Sequence, residues 1–472
     1  MVGRDDILIE GIEYDSRRVR PGQLFAAVSG FKTDGKKYIP EAIKRGATAI
    51  LTDNRIQADV PLVLVPDVRA GLSDLAAAFY GFPGRDLEII GVTGTNGKST
   101  SVSLIREILQ RSGKKAGMLN SLTYDTGAAQ YKAERTTPES LEVQRYLYEM
   151  KEAGCTYGVV EVSSHALVLK RVENIDFKMG LFTTFSRDHL DFHHTMEEYL
   201  AAKKLFLEKL KGDKKRTVIN ADSPEFAGFI SEAQSPVLTY SSTGNKADVT
   251  IINPKLKADK SLFELVTPQG KAAVELGLLG RYNLSNAAGA AAVGLALNID
   301  LNTIVSALRN AEPVPGRFRP VKRGQPFTVI VDYAHTPDAI ERLCQSAREI
   351  TSGRVLILFG CGGDRDKGKR PLMGKIASSR SDLAVVTSDN PRTEDPQKII
   401  DDILPGMTGD NYKVVPDRRE AIRTIIKAAK TGDILLIAGK GAEDYQEIGT
   451  VKYPYDDTTE VTKALEEAGY KG

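Results

Sequence analysis

The chain has 472 residues, enough for roughly two to four domains with ample core. Its 64 Lys and Arg nearly balance 62 Asp and Glu, which argues against bulk electrostatic binding to nucleic acid or an anionic membrane. Three cysteines without metal-like spacing read as cytosolic thiols, no run reaches the length of a membrane span, and the first residues lack the apolar stretch of a signal peptide; a cytoplasmic protein is expected.

Residues 1–85 read as a small α/β unit. A turn at Pro21-Gly22 leads into a strand from Gln23 to Val28, a helix is expected at about Tyr38–Arg45, and a strand at Ala49–Thr52. The apolar segment Pro61–Val65 leads to a helix through Leu75–Tyr80, and Phe82-Pro83-Gly84 breaks the pattern. Asp15, Ser16 and Arg17 suit an anionic ligand or a plain charged turn.

The central region runs over 86–312. The apolar run Leu87–Ile90 is followed by Gly91-Val-Thr-Gly94-Thr95-Asn96-Gly97-Lys98-Ser99-Thr100, and then by residues 101–110 with apolar positions at helical spacing. Strand, Gly-rich turn and helix form the context of a phosphate loop: glycines let the backbone curl inward and the helix start adds positive partial charge. Lys98 would reach the β/γ-phosphates and Ser99 would hold Mg2+. The strict Walker spacing places Gly where this chain has Val92, so the loop is a variant with Gly91, Gly94 and Gly97. Glu161 ends an apolar run, where a lone carboxylate is costly to bury and calls for a cation such as the Mg2+ of ATP. His189 could ligate a metal with Asp188 and Asp191 orienting it. All five histidines lie in polar strand-end or loop stretches, none reading as core filler. Lys203 and Lys204 read as the solvated face of an amphipathic helix over 199–206. Short strands alternate with turns over 236–278. Gly280-Arg-Tyr-Asn283-Leu-Ser-Asn286 then opens an Ala-rich helix, where Asn283 and Asn286 could cap it or meet a nucleotide base.

A third region starts at the Pro/Gly stretch 313–317. Strands near 327–331, 355–359, 383–387 and 434–438 alternate with helices, as in a doubly wound sheet. Their carboxyl ends carry Asp332–Asp338, Gly360–Asp366, Asp389-Asn390-Pro391-Arg392 and Gly439-Lys440-Gly441-Ala442-Glu443. Ligands of open α/β sheets bind outside such strand ends, so the four motifs read as one site.

In this order, Asp15–Arg18, Thr93–Ser99, Arg135–Pro138, Glu161–His165, Asp188–Asp191, Gly280–Asn283, Pro315–Arg317 and Asp332–Asp338 resemble the Mur ligase family over the whole chain. The resemblance implies an α/β protein of three domains: 1–85 for the UDP end of the substrate, 86–312 as a P-loop ATPase, and 313–472 for the incoming amino acid. It implies ATP-driven phosphorylation of the D-glutamyl carboxylate of a UDP-muramoyl dipeptide, then attack by an amine. The cofactors implied are ATP and Mg2+. Partners are small molecules only, with no nucleic acid, no membrane span and a monomeric chain. By carry-over, Lys98, Lys203 and His189 are catalytic, with Lys203 carbamylated so that it offers an anionic oxygen to metal. Ser99, Glu161, His189 and Lys203 hold Mg2+. Gly94, Thr95, Asn96, Gly97, Lys98, Ser99, Thr100, Asn283, Arg317 and Asp332 meet ATP. Ser16, Thr136, Thr137, Ser163 and Arg171 hold the UDP-muramoyl dipeptide. Arg365, Asp389, Asn390, Pro391, Arg392, Gly439 and Glu443 match the family's pattern for meso-diaminopimelate, whose far carboxylate suits a guanidinium. An unpaired Arg392 opposite L-lysine would cost roughly 2–5 kcal/mol, on the order of a hundredfold to a few thousandfold in preference.

The chain departs from the family at Ala442, where His is usual, at Thr184-Phe185, where Asn-Leu is common, and at Leu169, where Gln often stands. Rival readings are a lysine-adding ligase, a folylpolyglutamate-type ligase, which lacks an N-terminal UDP-binding domain, and a nucleotide-dependent switch without ligase chemistry. Glu161, His189 and Lys203 together argue against the switch.

Overall fold

The computed structural model describes residues 6–30, 33–257 and 260–471. Two compact units are distinguishable, each assembled from separate stretches of chain.

The first unit comprises residues 1–93, 113–180 and 202–216. It opens with four parallel strands in order of sequence, Gly11–Glu13, Gln23–Ala26, Ala49–Thr52 and Leu62–Leu64. Successive residues of a strand point to opposite faces. Leu24 and Ala26 accordingly pack on one side with Leu72 and Ala76 of the helix Val68–Phe79. Phe25 and Ala27 pack on the other with Ile39 and Ala42 of the helix Ile39–Lys44. Asp67 caps the longer helix by accepting the N–H groups of Arg69 and Ala70. At the predicted break, Phe82 adopts a left-handed φ of 53°. The unit's second sheet sets Phe177–Phe182, Glu88–Thr93, Tyr157–Glu161 and Ala116–Leu119 side by side. Two short antiparallel strands, Thr123–Asp125 and Gln130–Lys132, extend it; sequence periodicity gave no sign of them.

The second unit comprises residues 94–112, 181–201 and 217–472. Strands Val237–Ser241, Val249–Leu256, Ser261–Thr267 and Gly270–Leu276 follow in sequence order, the last three antiparallel. The Ala-rich helix Arg281–Ala296 is buried nearly all round and packs on the helix Lys98–Arg111. Further on, six strands lie in the order Arg319–Val321, Thr328–Asp332, Ile434–Ala438, Val355–Phe359, Leu383–Val386 and Tyr412–Val414. Only the first pair is antiparallel. Val355, Ile357 and Phe359 enter one core with the helices Pro337–Ile350, Lys369–Arg380 and Pro396–Ile403. Leu356 and Leu358 enter the other, with the helices Arg418–Ala428 and Asp457–Glu467. Strands covered on both faces explain the continuous apolar runs in the sequence. No helix among the described residues is long and apolar enough to cross a membrane.

Candidate active site

The Gly-rich loop is shaped by close approach rather than by flexibility alone. Gly94 has φ 146°, and a Cβ there would run into the Thr183 hydroxyl and crowd the Thr184 backbone. Gly97 has φ 87°, and a Cβ there would strike Asn286 Oδ1. Gly91 acts differently, since its missing side chain makes room for the rings of Phe206 and Phe177 in the strand before the loop. It is therefore a packing glycine and not part of the cradle. Thr184 accepts the Thr95 N–H at its carbonyl (2.6 Å) and the Asn96 N–H at its hydroxyl (3.1 Å). Thr183 Oγ1 donates to the Asn96 carbonyl at 2.7 Å. The Thr184 departure from the family pattern thus places a hydroxyl where it fastens the loop. Phe185 beside it packs against Tyr199. Lys98 Nζ donates to the carbonyls of Gly94 (3.1 Å) and Thr95 (2.8 Å), so the ammonium lies over the loop at the positive end of its helix. Ser99 and Thr100 are buried in the first turn. The curled backbone, the lysine and the helix start have the chemistry of a phosphate cradle.

Other expected nucleotide residues differ from a simple binding role. Asn283 does not cap its helix; Gly280 holds that position. Asn283 Nδ2 donates to the Leu279 carbonyl (2.7 Å) and its Oδ1 accepts from Asn286 Nδ2 (2.8 Å), which aims Asn286 at Gly97. Asp332 accepts the backbone N–H groups of Phe318 and Ala334, both at 2.7 Å, and fastens the segment after Pro315 to its strand end. Burial pushes its carboxyl above the usual carboxylate range, although Arg317 opposes this. The Arg317 guanidinium stacks 4.4 Å from the Tyr333 ring centroid.

His189 is held in a left-handed conformation, φ 55°, with its backbone N–H donating to Asp188 Oδ1 at 2.9 Å. Burial would raise the Asp188 carboxyl, but the fields of His189, His335 and Lys369 outweigh it and keep it ionised well below the usual range. Burial and the Lys369 charge together push the His335 imidazole towards its neutral form. His193 contradicts the expectation that no histidine fills core: it is buried between the rings of Phe192 and Tyr199. Lys203 contradicts the solvated-face reading, for its side chain is 1% exposed in the helix Met196–Glu208, whereas Lys204 is half-buried.

In the first unit, Glu161 is 2% exposed and accepts the Ser121 N–H at 3.0 Å. Thr137 Oγ1 donates to the Glu161 carbonyl at 2.6 Å and lies 3.2 Å from Ser163 Oγ. Arg171 Nη1 donates to the Thr137 carbonyl (3.1 Å) and Nη2 pairs with Glu139 (2.9 Å). Glu161, Thr137 and Arg171 thus form one buried patch, with Ser163 and Thr136 half-buried at its margin. Burial holds the Arg171 guanidinium below its ordinary value despite Glu139. Ser16 is buried and donates to Glu41 at 2.9 Å.

The amino-acid motifs meet at the strand ends of the doubly wound sheet. Asn390 Nδ2 donates to Glu443 Oε2 at 2.8 Å. Arg392, at φ 51°, directs Nε to Glu447 (3.0 Å) and Nη1 to the Gly363 carbonyl (2.8 Å). A Cβ on Gly439 would stand 2.5 Å from Asp389 Oδ2, and one on Gly363 would collide with the Pro391 carbonyl. Arg365 is exposed and donates only to the neighbouring Asp364 carbonyl, outside the buried cluster. Two features were missed in the sequence. Arg370, wholly buried, pairs with Glu394 and Asp402 and ties the loop of Gly362 to that of Pro391. Lys440, also wholly buried, sits among Asp389, Asn390 and Glu443. Arg370 stood in no motif, and Lys440 stood within the motif Gly439–Glu443 without a role of its own.

Three family descriptions match the chain in order: the Mur ligase catalytic domain over residues 8–80, the Mur ligase middle domain over 92–294, and the Mur ligase glutamate ligase domain over 316–441. The UDP-N-acetylmuramoyl-L-alanyl-D-glutamate–2,6-diaminopimelate ligase of Geobacillus kaustophilus is 44% identical over 99% of this chain and 96% of its own. A solved structure of a ligase of the same name is 34% identical, covers 98% of this chain and 95% of its own, and superposes with a TM-score of 0.67. MurF of Thermotoga maritima in complex with ADP, 18% identical over 98% and 99% of the two chains at a TM-score of 0.69, shares the fold. With the phosphate cradle, the Glu161 patch and Asp389–Arg392 of the strand-end cluster lying within these matched stretches, the chain belongs to the Mur ligase family.

Proposed function

We propose that this protein is the ATP-dependent ligase that adds meso-2,6-diaminopimelate to UDP-N-acetylmuramoyl-L-alanyl-D-glutamate, a step of peptidoglycan precursor synthesis in the cytoplasm. The observation that carries the amino-acid assignment is the strand-end cluster. It links Arg392 to the Asn390 and Glu443 pair through Glu447, whose carboxylate meets Arg392 and whose N–H donates to Asn390 Oδ1, so that a cation for a carboxylate and an anion for an ammonium belong to one cluster. Relatives at 41–44% identity bearing that ligase name support it.

A carboxylate is a poor electrophile. A D-glutamyl carboxylate oxygen attacks the γ-phosphorus of ATP and ADP leaves. The amine nitrogen then attacks the acyl carbon, phosphate leaves, and the nitrogen loses its proton. Charge spread over the transferring phosphoryl group makes positioning and cations the main source of rate. Lys98 would neutralise the phosphates within the Gly94–Gly97 cradle, with Thr95, Asn96, Ser99 and Thr100 around it. Asn283, Arg317 and Asp332 shape the nucleotide's surroundings, the first and last chiefly by holding neighbours in place. Thr136, Thr137, Ser163 and Arg171 would hold the muramoyl dipeptide, and Ser16 its UDP end. Magnesium, when bound, would neutralise phosphate oxygens; the Ser99 hydroxyl and Glu161 carboxylate are hard oxygen donors that suit it. His189 and Lys203 would hold a second ion. As the family resemblance implies, a carbamate on the buried Lys203 would supply an anionic oxygen ligand. We further propose domains at 1–85, 86–312 and 313–472, supported by the breaks at Phe82–Gly84 and Pro313–Arg317, and a monomer without nucleic-acid partners. The test is phosphate release with ATP, which should require both the UDP-muramoyl dipeptide and diaminopimelate. Release with either one alone would point to a switch or another ligase.

A further inference from the structure

Lys440 lies between two glycines of positive φ, Gly439 at 118° and Gly441 at 56°, and this backbone turns its side chain wholly inward. Its Nζ donates to Asn390 Oδ1 at 2.9 Å and to Glu443 Oε2 at 3.0 Å, and lies 3.9 Å from Asp389 Oδ1. Asn390 Oδ1 also accepts the Glu447 N–H at 2.9 Å, while its Nδ2 donates to Glu443. The Asn390 amide is therefore fixed in one orientation from both ends.

The charges around this point can be counted. Asp389, buried, and Glu443, half-buried, are two carboxylates, and Lys440 is one ammonium. The neighbouring pairs Arg418–Asp457 and Arg392–Glu447 are each neutral. The carboxylates Asp389 and Glu443 therefore outnumber the Lys440 ammonium by one, which leaves one negative charge for a substrate ammonium to meet. Burial, and then the charge of Asp389, push the Glu443 carboxyl above its ordinary range, and Lys440 opposes both. Burial also raises Asp389, but Lys440, Arg418 and His335 together hold it below the usual range. Tyr333 and Tyr445 face the same carboxylates from the other sides.

We propose that Lys440 is a positioning residue of the amino-acid pocket: it sets the pocket at one net negative charge and fixes the Asn390 amide, so that a single substrate ammonium completes the cluster beside Glu443. This inference rests on the amino-acid site proposed above. Without Lys440 the carboxylates of Asp389 and Glu443 lose the cation they share, one of them takes up a proton, and an incoming ammonium must displace it.

The experiment is steady-state kinetics of the full-length enzyme, with ATP and muramoyl dipeptide saturating, between pH 6.5 and 8.5. The Lys440→Met variant should raise KM for diaminopimelate roughly tenfold to a hundredfold, as expected on losing a charge-assisted contact. Its kcat and KM for ATP should stay near wild type, and its amino-acid KM should fall as pH rises while that of the wild type stays flat. The double variant Lys440→Met/Asp389→Asn restores the count of one negative charge and should recover much of the lost affinity. A purely structural lysine would give a pH-independent loss that a second substitution deepens. An unchanged KM, a pH-independent rise, or a double variant no better than the single, including one that does not fold, overturns the proposal. If the single variant alone does not fold, recovery of folding and near-wild-type KM in the double variant supports it. A wild type that ignores diaminopimelate instead refutes the function proposed above, and is distinguished by that control alone.

Discussion

Replacing Arg392 by alanine tests the choice of amino acid. Alanine keeps a Cβ at φ 51°, so the backbone strain is the same in both proteins, which glycine would not ensure. The backbone anchors at this position, Arg392 N to the Glu447 carbonyl (3.0 Å) and Gly449 N to the Arg392 carbonyl (2.7 Å), do not depend on the side chain. The variant removes a guanidinium that already pairs with Glu447 and whose side chain is 17% exposed. With L-lysine bound, Arg392 therefore keeps an anion, and the penalty expected for a bare buried cation does not arise. What diaminopimelate gains is a charge-assisted hydrogen bond from the remaining donors, worth about 1.5–3 kcal/mol. That corresponds to a preference of roughly tenfold to 150-fold, below the range expected from sequence. The assay is kcat/KM for both amino acids by phosphate release, in wild type and variant. Arg392→Ala should lower the value for diaminopimelate by roughly that factor and leave the value for lysine within about threefold. Equal use of both amino acids by the wild type, or equal losses on both in the variant, would refute the role of Arg392 and favour the lysine-adding reading.

Lys98→Ala should lower kcat by on the order of a hundredfold to a thousandfold or more with an unchanged melting temperature, since the lost contact is with transferring phosphate; near-normal turnover would remove Lys98 from the mechanism. Lys203→Ala should be nearly inactive, with partial rescue by short carboxylic acids, and intact-mass analysis under bicarbonate should show the carbamate on wild type; a plain lysine with full activity counts against it. Glu394 is held down to about 2, first by its hydrogen bond from Arg370. Its folded value lies below its unfolded one, so its contribution is full above about pH 4.5 and is lost as pH falls towards 2. Thermal melts of Glu394→Gln should show a deficit at pH 7 that narrows between about pH 5 and 3, and a deficit of constant size would contradict the pairing. Cys344 and Cys361 are buried thiols pushed up to about 12, so thiol reagents at pH 8 should label neither in the folded protein and both after denaturation.

Several of the strands that sequence reading found are buried on both faces. Val355–Phe359 and Ile434–Ala438 are uninterrupted apolar runs because helices cover both sides of their sheet. The strands it missed, Thr123–Asp125, Gln130–Lys132 and the hairpin of Tyr445–Ile448 with Val451–Pro454, are short, polar and partly exposed. Their pairing is decided by neighbours distant in sequence, which local periodicity cannot register.

Within the site, the limit of sequence reading is the burial of charge. Lys203 and Lys204 are adjacent, identical in type and both compatible with a solvated face, yet one is 1% exposed and the other is not buried. Lys440 and Arg370 present the same difficulty: one is a basic residue in a polar strand-end stretch and the other stands in the first turn of the helix Lys369–Arg380, and each is wholly buried. A buried cation is retained only where carboxylates or amide oxygens converge on it. Those partners come from other elements: Asp389, Asn390 and Glu443 for Lys440, Glu394 and Asp402 for Arg370. The motifs named the residues that would touch ligand because their types match the ligand's chemistry. They were silent on the cations beneath, whose partners are the protein's own carboxylates. On the reading proposed above, Lys440 decides how much charge the ligand must bring, whereas Arg370 joins the loops of Gly362 and Pro391 on which Arg392 stands.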